Sequence, residues 1–142
     1  MPDKIEITID VIIHATEDPS KIFAAFKETF DLDEENFTIN NTVGHYENPI
    51  IMLKVKIIKK QAQVLLKKLL DLLKKDQIMK LIEEIDERTV DSRFHFRLDK
   101  QELINGNVII NERGMIKIKI HTPIYNKKDK IQSFTKIFQI AN

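Results

Sequence analysis

The side chains that most often carry out chemistry are few and scattered in this chain of 142 residues. The absence of cysteine excludes disulfides, thiolate metal sites and cysteine nucleophiles. The four histidines, at 14, 45, 95 and 121, are far apart, and none shows the i, i+4 spacing of a helical zinc site. The sequence also lacks a phosphate-binding loop, a dinucleotide fingerprint and a nucleophile elbow. We therefore predict that the protein is not an enzyme and has no catalytic residue, metal site or cofactor.

Basic side chains, in contrast, recur at every second position of three apolar segments. They are Lys54 and Lys56 in the first segment, Arg93, His95 and Arg97 in the second, and Lys117, Lys119 and His121 in the third. Alternate residues of a strand point to the same side, so these bases are predicted to share one face of a sheet. A basic sheet face attracts the phosphate backbone of RNA. The alternative is an ordinary solvated surface, on which Glu6 and Asp10 neutralise neighbouring lysines.

The elements that must position these bases follow from hydrophobic periodicity. A period of two predicts strands over residues 4–14, 50–58, 93–99, 107–111 and 115–121, and more weakly over 36–43. Phe94 and Phe96 are in phase with Leu98, so we expect them in the core rather than stacked on bases. Recognition of the backbone or the shape of RNA is therefore the favoured mode.

Helical periods separate these strands. Asp18 as N-cap and Pro19 as first residue predict a helix over residues 19–30. Leucine-rich residues 60–86 predict one kinked helix or a pair, with Asp76 capping the second. Lysine pairs at 59–60, 67–68 and 74–75 share one side of this segment, as is typical of a solvated face. Phe134 and Phe138, four residues apart, indicate a final helix.

The order of these elements predicts an α+β fold, a mostly antiparallel sheet with helices packed on one face. We expect one domain over residues 1–142, with a basic C-terminal extension at 123–142. The net charge of +1 hides an asymmetry, because residues 1–48 carry eleven acids and three bases whereas residues 49–142 carry eleven acids and twenty bases. Such polarisation favours an anionic partner. The amino terminus is no signal peptide and no run could span a membrane, so we expect a cytoplasmic protein, and the Lys- and Ile-rich composition suggests heat adaptation.

The segment GHYENPI, residues 44–50, stands out in a chain with only three glycines. Between two strands, Gly44 is expected to take the positive φ of a tight turn, and Pro49 to hold Asn48 extended. A stiff hairpin tip explains these residues without any function. Asp99, Lys100 and Gln101 follow a strand end, which is a common place for a site and equally for a plain turn.

Three blocks together resemble an archaeal family of RNA-binding proteins of unknown biochemical function, often described as exosome-associated. They are HATEDPSKIF (14–23), GHYENPI (44–50) and RFHFRLDKQE (93–102), in the order and spacing of that family. The resemblance implies a fold similar to that of the ribosomal protein that binds 5S rRNA. It also implies a role for Gly44, His45, Tyr46, Asn48 and Pro49 in one loop and for Asp99, Lys100 and Gln101 in another. A second glycine is usual in the family where this chain has Glu47.

Our first hypothesis is a non-enzymatic RNA-binding protein. The sheet bases would contact phosphates, and His45, Tyr46, Asn48, Lys100 and Gln101 would add further contacts. The second is a protein-interaction module, a homodimer or an accessory subunit of an RNA-processing complex, which would use helices 60–85 or an exposed sheet edge. The third is a small enzyme acting on a phosphorylated or nucleotide substrate near His45 and Lys100.

Overall fold

The first strand of the chain lies inside a six-stranded antiparallel sheet of order β2-β3-β1-β6-β5-β4. The computed structural model describes residues 4–44 and 46–139. Its strands are β1 (Glu6–His14), β2 (Thr38–Val43), β3 (Pro49–Ile58), β4 (Thr89–Val90), β5 (Arg93–Leu98) and β6 (Ile116–His121). Its helices are α1 (Pro19–Phe30), α2 (Lys59–Leu72), α3 (Lys75–Glu83), α4 (Ile85–Arg88), α5 (Lys100–Ile104) and α6 (Lys127–Phe138), with a 3-10 turn at Glu34–Asn36. The predicted α+β class is confirmed.

The period of two in the sequence corresponds to the burial of the strands. In β1, β5 and β6 every second side chain is buried, and the residues between them are half-buried or exposed. In β3 the same alternation begins at Leu53, because the first residues of that strand extend beyond the core. The bases of β3, β5 and β6 take the exposed or half-buried positions of this alternation.

The described residues group into two compact units. One unit contains the described residues of 1–7, 57–96 and 119–142. Its core joins the strand aromatics to the last helix, since the Phe94 ring centroid lies 4.8 Å from that of Phe138 and 5.5 Å from that of Phe134. The other unit contains the described residues of 8–56 and 97–118. In it α1 packs against α5, and Phe26 of α1 contacts Phe37 with ring centroids 5.2 Å apart.

Local sequence signals explain some helix boundaries. The predicted start of α1 is confirmed, since Asp18 accepts a hydrogen bond from the Ser20 backbone N–H at 3.0 Å and Pro19 is the first helical residue. The last helix is confirmed as α6, with Phe134 and Phe138 buried. The predicted cap at Asp76 is wrong, because α3 begins at Lys75 and Asp76 lies in its first turn. A carboxylate there complements the positive end of the helix dipole without capping it.

The predicted strand at residues 107–111 is also wrong. This segment makes one bridge, between Leu98 and Ile110, and otherwise runs as a loop. Asp99, Lys100 and Gln101, for which the sequence left a site and a plain turn open, are the N-cap and first residues of the short helix α5. The alternation of Val108 and Ile110 imitates a full strand, but pairing with β5 is limited to the bridge at Ile110, and the Asn111 side chain bonds to Asp99.

Candidate nucleic-acid interface

Four of the predicted sheet bases belong to the second unit and lie in β3, β5 and β6. Lys54 and Lys56 are exposed, whereas Arg97 and Lys117 are half-buried. Lys54 and Lys56 are two residues apart on one strand, which separates them by about 6.6 Å along its axis. These four bases are the predicted phosphate contacts of this unit.

Asp10 of β1 partly neutralises this group. Its carboxylate lies 4.0 Å from the Lys54 Nζ, at the limit of an ion pair. The Ile12 N–H donates to the Met115 carbonyl oxygen, and counting along the two antiparallel strands from this pair places Asp10 opposite Lys117. The alternative of cross-strand neutralisation therefore applies to part of the face.

Arg97 and Lys117 form a pair of like charges on neighbouring strands. The Thr122 N–H donates to the Ser92 carbonyl oxygen, and the same counting places Lys117 opposite Arg97. The Arg97 Nη1 donates to the Gly114 carbonyl oxygen at 3.1 Å. Two cations directly opposite each other destabilise a sheet, and a bound anion would relieve that repulsion.

The first unit carries the remaining bases of the predicted face. Arg93 is exposed, and its Nη1 donates to the Asp91 carbonyl oxygen at 3.4 Å. His95 and Lys119 are half-buried on adjacent strands. His121 Nδ1 lies 3.1 Å from the Ser92 hydroxyl, so this ring is held by the turn between β4 and β5.

The loop after β2 is tight, but for a reason other than the one predicted. The positive φ expected at Gly44 is wrong, because the left-handed residue of this turn is Glu47, with φ of 61°. A Cβ at Gly44 would lie 2.8 Å from the Asn48 Oδ1, which is the end of an exposed and flexible side chain. The backbone closes through the Gly44 N–H, which donates to the Asn48 carbonyl oxygen at 2.7 Å. Tyr46 is 86% exposed at the tip, Asn48 is exposed beside it, and His45 lies outside the described residues.

Asp99, in the second predicted loop, has a structural role. Its carboxylate accepts hydrogen bonds from the Glu102 backbone N–H and from the Asn111 Nδ2, both at 2.9 Å. These bonds, the one from Glu102 first, lower the pKa of Asp99 below its usual range. Asp99 thus caps α5 and fastens the 107–111 segment to it.

Lys100 is likewise engaged within the protein. Its Nζ donates to the Ile12 carbonyl oxygen at 2.7 Å and to Glu17 Oε2 at 2.5 Å, and 11% of its side chain is exposed. It lines a hollow of about 340 Å³ with Glu17, Lys21 and Gln101 among the other walls. The ammonium group therefore joins the end of β1 to α5, while Gln101 is exposed.

Sequence reasoning missed two residues that position the basic strands. Gly114 allows β6 to begin against the backbone of Leu98, where a Cβ would lie 2.1 Å from the carbonyl oxygen. Asn111 holds Asp99 through its side chain. The scarcity of glycine in this chain was the available sign of a strict role for Gly114.

Neither a metal-ligand cluster nor a membrane-spanning helix occurs in the described part of the chain. Among residues 4–44 and 46–139, no group of three or more histidine or acidic side chains could hold a metal ion. No helix in the same ranges is long and apolar enough to cross a membrane.

Comparisons with known proteins agree on one family. A family model described as RNA binding matches residues 6–122. An RNA-binding protein of Pyrococcus abyssi is 30% identical, with 86% of this chain and 84% of that protein covered. An uncharacterized protein of Methanocaldococcus jannaschii is 32% identical, with 89% and 91% covered. The crystal structure of an Archaeoglobus fulgidus protein of the DUF54 family superimposes with a TM-score of 0.79 at 27% identity, covering 95% of this chain and 99% of that one. The chain therefore belongs to this RNA-binding family.

Proposed function

We propose that the protein binds RNA without catalysing a reaction, mainly through phosphate contacts from its open sheet face. The observation that carries the proposal is the pairing of Arg97 with Lys117 in a family described as RNA binding. Asp10 offsets part of this charge from the other side of Lys117, and an anionic partner would offset the rest.

The four bases of the second unit give the simplest form of this interface. Lys54 and Lys56 would follow the backbone along β3, and Arg97 and Lys117 would hold a phosphate between β5 and β6. Arg93, His95 and Lys119 would make corresponding contacts from the first unit. Tyr46, Asn48 and His45 at the hairpin tip would add a stacking ring and hydrogen bonds.

The hairpin and the α5 loop differ in what they can offer. Tyr46 is highly exposed, whereas Lys100 already donates to two partners within the protein. We therefore assign Lys100 and Asp99 to positioning, with Gln101 as the exposed side chain of that loop. Association with an exosome-like RNA-processing complex, and similarity to the ribosomal protein that binds 5S rRNA, stay predictions of the family resemblance.

The test is fluorescence-anisotropy titration with a single-stranded RNA, a duplex RNA and a hairpin of equal phosphate number at several salt concentrations. We expect log affinity to fall linearly with log salt and to differ among the three RNAs, because the backbone geometry differs while the charge is the same. Equal affinity for all three RNAs would mean that the interaction is nonspecific charge attraction. No binding at low salt would contradict the proposal.

A second candidate function, assembly with another protein chain, is favoured by the sheet edge rather than by the leucine-rich helices. Leu65, Leu66, Leu69 and Leu70 of α2 are buried. The six residues of β2, in contrast, are exposed at the edge of the sheet.

A further inference from the structure

The edge strand β2 presents an unusually open template for another strand. All six of its residues, Thr38–Val43, are exposed, and β3 is its one neighbour among the described strands. The register with β3 is antiparallel, pairing Ile39 with Leu53 and Asn41 with Ile51. The opposite edge of β2 therefore has no strand beside it in the part of the chain that the structure describes.

The hydrogen bond at the hairpin end shows which backbone groups point outward. Gly44 and Asn48 lie opposite each other as a hydrogen-bonded pair, because the Gly44 N–H donates to the Asn48 carbonyl oxygen. Bonded and non-bonded pairs alternate along an antiparallel ladder, so Ile39, Asn41 and Val43 occupy the non-bonded positions toward β3. Pro49, which has no N–H, lies opposite Val43 as this alternation requires. The N–H and C=O groups of Ile39, Asn41 and Val43 thus point away from the sheet.

The usual protections of an edge strand are missing from β2. Such strands commonly carry charges, prolines or bulges that prevent further pairing. Residues 37–44 contain no charged residue and no proline, in a chain in which 32% of residues are charged. Ile39 and Val43 lie on the same sheet face as buried Leu53, yet they are 47% and 61% exposed. This leaves an apolar pair uncovered on the core side of the sheet.

We propose that β2 pairs with β2 of a second copy of this chain, antiparallel about a two-fold axis at Asn41. In this register Asn41 faces Asn41 of the other copy, and Ile39 faces Val43 on both sides of the axis. The backbone groups that point away from β3 then meet in three residue pairs, and each pair exchanges two hydrogen bonds. An axis at Asn40 would instead place Ile39 opposite Asn41, an apolar side chain against an amide.

A second copy fits this strand better than an unrelated partner because the strand is complementary to itself. A two-fold axis perpendicular to the sheet keeps each face on its own side, so Ile39 meets Val43 and Asn40 meets Thr42. No charge faces its own copy across the axis. The inference does not depend on RNA binding, but it has a consequence for it. Lys54 and Lys56 of the two copies would lie on the same side of one continuous sheet, which would increase avidity for a long RNA.

The test is sedimentation equilibrium of the full chain from micromolar to submillimolar concentration. We expect a concentration-dependent dimer whose dissociation constant rises by at least about tenfold in Asn41→Pro, because two symmetric backbone bonds are lost. The Asn41 N–H does not bond to β3, so this variant should keep its circular-dichroism spectrum. Asn41→Lys, which puts like charges across the axis, should weaken the dimer as well. Asn107→Lys adds the same charge to an exposed loop and should leave the dimer unchanged.

A cysteine scan gives an independent readout, because the chain has no cysteine of its own. Asn41→Cys should form an intermolecular disulfide under mild oxidation, since opposite residues of a bonded pair have Cα atoms about 5.5 Å apart. Asn107→Cys should not. A strict monomer at the highest concentration, or a dimer that withstands both Asn41→Pro and Asn41→Lys, would overturn the proposal.

Discussion

Replacing Gly114 by alanine puts a methyl group where the backbone of Leu98 already lies. A Cβ at this position would be 2.1 Å from the Leu98 carbonyl oxygen and 2.6 Å from its carbonyl carbon. Nonbonded contacts of a Cβ below about 3.0 Å are essentially not observed, so the two backbones must separate by roughly 0.9 Å. This movement would disturb the start of β6. It would also displace the Gly114 carbonyl oxygen, which accepts the hydrogen bond from Arg97.

The expected cost is about 3 kcal/mol of unfolding free energy, combining overpacking of about 2 kcal/mol with a weakened hydrogen bond of about 1 kcal/mol. With a urea dependence of about 2 kcal/mol per molar, the unfolding midpoint should fall by about 1.5 M. Gly106→Ala is the matched control, because Gly106 has φ of 92° and a methyl group added there would have no other atom within 4 Å. Backbone strain alone should cost that variant about 1 kcal/mol, or about 0.5 M in urea.

Urea unfolding followed by circular dichroism at one fixed protein concentration would measure both variants. A midpoint shift in Gly114→Ala no larger than that in Gly106→Ala would refute the reasoning, because it would mean that β6 does not approach Leu98 closely. RNA affinity measured on the folded Gly114→Ala protein should also fall, since Arg97 and Lys117 are positioned by this contact.

Two other substitutions test the loops. Glu47→Gly should stabilise the protein by about 0.5–1 kcal/mol, because glycine adopts the positive φ of this residue without steric cost, and a lower thermal midpoint would show that Glu47 makes a compensating contact. Asp99→Ala should lose about 1 kcal/mol at pH 7 through the lost cap. Because the pKa of Asp99 is lowered in the folded protein, its carboxylate stabilises the fold fully above the unfolded pKa of about 3.9, and this stabilisation is lost as the pH falls through the folded pKa. The urea midpoints of the wild type and Asp99→Ala should therefore converge below about pH 4. If the urea midpoint of Asp99→Ala stayed below that of the wild type by the same amount at every pH, the charged form of Asp99 would be excluded as the source of the stabilisation.

The strands and long helices were predictable because one signal dominated each of them. Alternating isoleucines specified β1 and β6, and the Asp18-Pro19 pair specified where α1 begins. The same period predicted that Lys54, Arg97 and Lys117 alternate with buried residues, and the burial pattern of each strand shows that alternation.

The loops were less predictable because their structure depends on contacts distant in sequence. Alternation near Val108 suggested a strand, but Asp99 bonds Asn111 twelve residues away and holds that segment as a loop. Glycine at 44 suggested a left-handed turn residue, whereas Glu47 has the left-handed conformation in this turn. Lys100 was predicted to contact RNA, whereas its ammonium group donates to Ile12 and Glu17 within the protein.

The open sheet face is tested most directly by the salt dependence of RNA binding in Lys54→Gln/Lys117→Gln. Lys67→Gln/Lys68→Gln is the matched control, because it removes the same charge from α2. We expect the sheet variant to lower affinity for every RNA and to reduce the slope of log affinity against log salt by about 1.4 for single strands, that is, about 0.7 for each lost phosphate contact. The α2 variant should keep the wild-type slope. An unchanged slope in the sheet variant, with a reduced slope in the α2 variant, would contradict the account and move the interface to the helix.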